Sequence, residues 1–183
     1  TYFILMPEMG ISEESALLSS WRVKEGDEII DVRITDGKSD IILVTNSGLS
    51  IRFNEEEARP VGRTSMGVKG ITLGKDDYIV AALPVRHSTD DLAVFTATGL
   101  CKRFALNELP IQKRAGKGLM CYKPNDSTGN VVSAVLVDDT DNVLVLGNNS
   151  SICVSATEIP KLSRASTGNQ VIKNSKINSV SKV

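Results

Sequence analysis

Histidine, cysteine and long apolar runs are scarce in this chain, and each shortage closes off a class of function. The one histidine, His87, sits in the polar stretch "PVRHSTDD" with no serine or cysteine placed as its nucleophilic partner, so a hydrolytic dyad has nothing to be built from. Cys101, Cys121 and Cys153 are an odd number, widely spaced and without a C-x-x-C pair, which fits reduced thiols better than a disulfide or a metal site. The acidic "DDTD" at 138–141 lacks the glycine and glutamate spacing of an EF-hand and is expected to be a solvated turn. No apolar run approaches the roughly 20 residues of a membrane helix. The opening "TYFILMPEMG" has no basic leader and no small-residue cleavage site, so no signal peptide is expected. With no nucleophile, base or metal constellation, no catalytic residue and no cofactor are assigned.

What is present is ordinary in amount and unusual in order. Across 183 residues, 41% hydrophobic and 23% charged content allows a folded core, as one domain or a string of small units. The net charge of −1 hides an asymmetry. Residues 1–58 hold 5 Lys and Arg against 12 Asp and Glu, while residues 59–183 hold 16 against 10. One end is therefore acidic and the other basic, as expected if one part of the surface attracts polyanions.

The strongest signal is an internal repeat. "IILVTNSG" (41–48), "LAVFTATG" (92–99) and "VLVLGNNS" (143–150) each begin 51 residues after the last. "LSIRF" (49–53), "LCKRF" (100–104) and "SICV" (151–154) follow them, so each copy predicts a β-hairpin. Gly48 and Gly99 supply the turn, whereas Ser150 in the third copy must change the turn type or accept strain. Behind each hairpin comes the form R-x-x-x-G: "GRTSMG" (62–67), "KRAGKG" (113–118) and "SRASTG" (163–168).

Further apolar stretches complete each unit: "VKGITL", "GLMCYK" and "NQVIKN", then "YIVAALPV" (78–85) and "NVVSAVLV" (130–137). "IIDVRI" (29–34) holds the same place one unit earlier. No long 3.6-residue apolar period appears, although "NEEEA" (54–58) and "ALNEL" (105–109) could form a helical turn before each loop. The expected fold is all-β, a propeller-like array of four-stranded blades with about three full blades and a partial one. The units are placed at 1–36 (partial), 37–87, 88–139 and 140–183, within a single domain or fragment. Trp21, Phe53 and Phe104 are assigned to packing.

Two readings of R-x-x-x-G stand side by side. An arginine beside a glycine can present a guanidinium fork and backbone N–H groups to a sugar–phosphate chain. Alternatively, Arg63, Arg114 and Arg164 pair with acidic neighbours to brace the blade corner, and Gly67, Gly118 and Gly168 make turns. Lys113 and Lys117, with Lys102 and Arg103 nearby, tilt the second unit towards nucleic acid.

The segment "EGDEIIDVRITDGKSDIILVTNSGLSIRFNEEEARPVGRTSMGVKGI", with "AVFTATGLCKRFALNELPIQKRAGKG" and "VSAVLVDDTDNVLV", resembles the C-terminal domain of the bacterial DNA gyrase A subunit over residues 25–170. "QKRAGKG" (112–118) is similar to that family's signature box, Q-R-R-G-G-R-G, with Lys113 and Ala115 among its departures. In the family the box belongs to the first blade, so 112–118 is taken as a related rim loop.

The resemblance implies a six-bladed β-pinwheel whose blades exchange a strand with the neighbour and whose basic rim wraps duplex DNA. It implies a non-catalytic part of an ATP-dependent type IIA topoisomerase, joined to the remainder of the gyrase A polypeptide and to the gyrase B polypeptide in an A2B2 complex. The setting would be the bacterial cytoplasm at the nucleoid, with no membrane contact, and the fragment itself a monomer. Expected DNA contacts are Arg63, Lys69, Lys102, Arg103, Lys113, Arg114, Lys117 and Arg164. Tyr2, Tyr78 and Tyr122 have no claim to the family's nucleophilic tyrosine, and "NEEEA" would be a solvated face or would keep DNA off one side. The A subunit of topoisomerase IV, whose similar domain carries degenerate loops, and a protein-interaction propeller are the competing assignments.

Overall fold

The computed structural model describes residues 2–3, 28–33, 35–58 and 67–183. Strands β1 (Tyr2–Phe3), β2 (Asp40–Thr45), β3 (Leu49–Asn54), β4 (Val68–Lys69) and β5 (Ile79–Val85) come first. Next are β6 (Asp91–Thr96), β7 (Leu100–Ala105), β8 (Leu119–Met120) and β9 (Val131–Val137). The chain closes with β10 (Asn142–Gly147), β11 (Ser151–Ser155), β12 (Asn169–Gln170) and β13 (Ile177–Lys182). Single 3-10 turns at Glu55–Glu57, Leu106–Glu108 and Ala156–Glu158 follow β3, β7 and β11. No α-helix occurs among the described residues, so the all-β expectation holds.

Two sheets are four-stranded, in the orders β5-β2-β3-β8 and β9-β6-β7-β12. In each, three antiparallel strands come from one repeat and the outer strand comes from the next. That outer strand is short. Only Leu119 and Met120 pair with Ser50 and Leu49, and only Asn169 and Gln170 pair with Cys101 and Leu100. The third sheet, β11-β10-β13, has three strands among the described residues.

The hairpins form as their composition predicts. β2 and β6 alternate with period two, and both faces are covered. Ile42 and Val44 join Leu92 and Val94 in the core between the first two sheets, while Ala93 and Phe95 join Val143 and Val145 between the second and third. Ile41 and Leu43 pack with Ile51, Phe53, Ile71 and Ile79 on the far side of the first sheet. Each such aliphatic side chain contributes roughly 1.5–3 kcal/mol through burial. Phe53 and Phe104 are buried, in keeping with a packing role. Trp21 lies outside the described residues.

Two details depart from expectation. Residues 29–33 form no strand, and Ile29, Ile30 and Val32 are exposed; no described strand lies beside them to take their backbone hydrogen bonds. In "NEEEA" only Glu56 and Glu57 are solvated. Glu55 is fully buried, accepting from the Ser39 amide at 2.6 Å and from the Thr35 hydroxyl. The third hairpin changes its turn, as its missing glycine requires: Ser150 keeps a negative φ, and the Gly147 N–H donates to its carbonyl at 2.9 Å.

Candidate nucleic-acid interface

Loop 113–118 exists because the incoming chain meets β3 twice, in opposite directions. Ile111 first bridges Arg52 in parallel, and the Gln112 amide donates to Arg52 O at 2.7 Å. The chain then reverses and returns as β8, antiparallel to the start of β3. The reversal between these contacts is the basic loop. The next unit repeats it: Lys161 bridges Arg103 in parallel, the Leu162 amide donates to Arg103 O at 2.9 Å, and β12 returns along β7.

The recurring arginine and glycine brace this reversal. Gly118 (φ 75°) and Gly168 (φ 80°) press against the preceding unit, where a Cβ would lie 2.6 Å from Ser50 O and 2.4 Å from Cys101 O. No side chain fits there. The Arg114 amide donates to Glu57 at 3.0 Å and its guanidinium to Lys69 O. The Arg164 amide donates to Glu108 at 2.9 Å and its guanidinium to Met120 O. Each loop arginine thus reaches back to the unit before it.

The loop sits on the strand that carries Lys69. Ala115 N donates to Gly70 O at 2.7 Å, and Thr72 N donates to Gly116 O at 2.8 Å. The contact draws Lys69, Lys113, Arg114 and Lys117 into one patch assembled from two units. Lys69, Lys113 and Lys117 are exposed and have no carboxylate within ion-pair distance among the described residues. Arg114 is half-buried. Ala115 holds φ 67°, a left-handed conformation, at the position where the similar signature box has glycine.

Two expected contacts are corrected. Lys102 is fully buried; its ammonium donates to Ser163 O at 3.0 Å and Arg164 O at 2.5 Å and lies over the Phe104 and Tyr122 rings. Burial pushes it down to about 8 from the usual lysine value. Arg103 is buried too, binding Asp91 at 3.0 Å, Asp139 at 2.5 Å and Ile159 O at 3.2 Å. Neither head group is on the surface, because the following unit's chain covers both. Arg164 reaches only half-exposure in a loop without lysine, and Arg63 lies outside the described residues.

The clamp that holds Arg103 is repeated and was missed from sequence. Arg52 binds Asp40 at 2.8 Å and Leu106 O at 3.1 Å, as Arg103 binds Asp91 and Ile159 O. Aspartate on one hairpin strand and arginine 12 residues on, in both copies, is the signal that could have revealed it. Glu57 and Glu108, also 51 residues apart, carry a second. The cysteines are free, with Cys101 and Cys121 buried and Cys153 exposed. Burial pushes the Cys101 thiol up to about 12 and the Cys121 thiol up to about 11. No metal-holding group of His, Cys, Asp or Glu occurs, and no helix is long and apolar enough to cross a membrane, among the described residues.

Fold and loops together define a propeller-like repeat protein whose blades exchange an edge strand at a basic corner. The family described as "DNA gyrase C-terminal domain, beta-propeller" matches residues 39–86, 90–138 and 153–179, and the chain belongs to that family. The DNA gyrase A subunit of Staphylococcus aureus (strain MRSA252) is 33% identical over 185 residues, covering 94% of this chain and 21% of that protein. The chain therefore spans about a fifth of the curated relatives it matches. A crystal structure of the C-terminal domain of DNA topoisomerase IV is 28% identical with a TM-score of 0.85, covering 90% of this chain and 52% of that one. A DNA gyrase A C-terminal domain is 26% identical with a TM-score of 0.82, covering 89% and 57%.

Proposed function

We propose that this chain binds and wraps duplex DNA as part of the A subunit of a type IIA topoisomerase, without catalytic residues of its own. The observation that carries the reading is the patch of Lys69 on β4 with Lys113 and Lys117 of loop 112–118, exposed beside Arg114 and with no carboxylate pairing the lysines among the described residues. Such a patch suits a phosphate backbone and has no helix to read base edges, so binding is largely independent of sequence. Bending 20–30 base pairs by 40–90° costs on the order of 1–6 kcal/mol, so several loops must act together, Arg63 and Arg164 included. The units at 37–87, 88–139 and 140–183, which carry the R-x-x-x-G loops, would then be successive steps along the bent duplex.

In this reading the domain serves an ATP-dependent gyrase made of two A and two B subunits, in the bacterial cytoplasm at the nucleoid. The similarity to topoisomerase IV supports a second assignment, to the corresponding polypeptide of that enzyme. Trapping of supercoils in relaxed plasmid separates them, since a chiral wrap is required of the first. Replacing Lys69, Lys113 and Lys117 with alanine should weaken binding to all duplexes alike and flatten the slope of log K against log salt by roughly 2–3. Unchanged affinity would overturn the DNA reading and leave a protein-interaction propeller.

A further inference from the structure

The register of the three hairpins aligns Ile51, Lys102 and Ile152, which face Leu43, Val94 and Val145 respectively. Ile51 is buried beneath loop 112–118, its Cδ1 lying 3.5 Å from where a Cβ on Gly116 would sit. Lys102 is just as buried beneath loop 162–168, yet it is a cation. Its ammonium makes no ion pair among the described residues. Two carbonyls, Ser163 O and Arg164 O, take its protons, and two aromatic rings lie 5.4 and 5.6 Å away. Isoleucine fills the same position in the unit before without desolvating a charge, so packing alone does not account for lysine.

The loop above it supplies the reason. Where loop 112–118 has Lys113 and Lys117, loop 162–168 has Ser163 and Thr167. Ser163 O also accepts from the Ser166 amide at 3.1 Å and the Ser166 hydroxyl at 2.7 Å, so the turn closes around the lysine head. We infer that Lys102 is a positioning residue for DNA binding: it draws the carbonyls of Ser163 and Arg164 inward and supplies, from beneath the loop and beside Arg164, positive charge in place of the two lysines this loop lacks. A phosphate over loop 162–168 would meet the exposed Ser163 and Thr167 with a cation behind them. The inference rests on the DNA reading above and adds a residue to it that never touches DNA.

The groups facing Lys102 are Glu108, Cys121, Tyr122 and Arg164. Burial raises both the Cys121 thiol, to about 11, and the Tyr122 hydroxyl, so both stay neutral near pH 8–9. Lys102, lowered to about 8 chiefly by burial, loses its charge there.

The test measures duplex affinity at fixed low salt for the wild-type chain, Lys102→Met and the Lys69, Lys113 and Lys117 triple-alanine variant, at pH 7 and pH 9.5. A unit charge acting over about 8 Å through protein should change affinity roughly threefold to tenfold. The wild type should weaken by that factor between the two pH values, and Lys102→Met should be weaker by the same factor at pH 7 and insensitive to pH. A flat wild-type profile overturns the inference even if Lys102→Met does not fold. Loss of binding in the triple variant, with Lys102→Met and the wild type alike at both pH values, overturns the inference and leaves the DNA reading standing. Full affinity in the triple variant removes the DNA reading, and this inference falls with it.

Discussion

Loops 112–118 and 162–168 share a skeleton and differ in what they show to solvent. In both, an arginine reaches a carbonyl of the previous unit, its amide is held by a glutamate, and a glycine presses on a backbone oxygen. In the first loop an exposed lysine stands next to each anchor, Lys113 before the arginine and Lys117 before the glycine; in the second these are serine and threonine, and a lysine lies underneath. The recurring residues of R-x-x-x-G are what the strand exchange demands. The residues that fail to recur are the ones on which the proposed DNA contact rests.

The blade junctions beneath the two loops differ as well. Arg52 meets one carboxylate, whereas Arg103 meets Asp91 and Asp139, with Lys161 2.9 Å from Asp91 on its other side. Arg103→Met should therefore have the largest effect, about 3 kcal/mol of lost stability in urea titration, because it leaves the buried Asp91 with only the exposed Lys161 as its partner and Ile159 O without its donor. Arg52→Met, at a pair that keeps some solvent, should cost about half as much. Equal losses would erase the contrast between the junctions.

Alkaline pH probes the same second junction, since Cys101, Lys102 and Cys121 cluster there. The buried thiols have raised values, so the stability they contribute is intact below about pH 9 and is lost as pH climbs towards 11–12. Lys102 is lowered to about 8 and opposes them, because its desolvation penalty is relieved as pH rises from about 8 to the usual lysine range. The two thiols together outweigh Lys102, and the raised Tyr122 hydroxyl adds to the loss, so stability should fall by roughly a few kcal/mol between pH 8.5 and 12. Urea midpoints measured across that range should fall, and Lys102→Met should make them fall more steeply.

Grafting the first loop's charges onto the second sharpens the comparison directly. Ser163→Lys with Thr167→Lys should steepen the salt dependence of DNA binding by roughly 2 and raise affinity about tenfold at low salt. An unchanged slope would mean that loop 162–168 faces away from the duplex. The smallest expected effect has opposite signs in the two loops. Ala115 holds a positive φ and Ala165 does not, so Ala115→Gly should stabilise by about 0.5 kcal/mol and Ala165→Gly should destabilise by up to about 1 kcal/mol in thermal melts.

Much of the fold was legible. The hairpins of β2–β3 and β6–β7 follow from alternating β-branched runs around Asn-Ser-Gly and Ala-Thr-Gly, and the short helical turns fall where "NEEEA" and "ALNEL" placed them. The glycine turns were legible as turns; their pressure on Ser50 and Cys101 was not, since those carbonyls lie 67–68 residues away in sequence. Of the expected contacts, Lys69, Lys113 and Lys117 lie exposed together, while Lys102 and Arg103 went inside. A strand pattern such as "LCKRF" shows which residues alternate. It does not show that a later loop will cover both faces.

The chain's own order of residues therefore determined the repeat, the hairpins and the place of each corner, because β alternation and turn chemistry act over a few neighbours. Which cations meet solvent was decided only in three dimensions. That outcome depends on the loop of one unit closing over a strand of the unit before, some 60 residues earlier, where a desolvated ammonium or guanidinium persists only if carbonyls and carboxylates are brought to it.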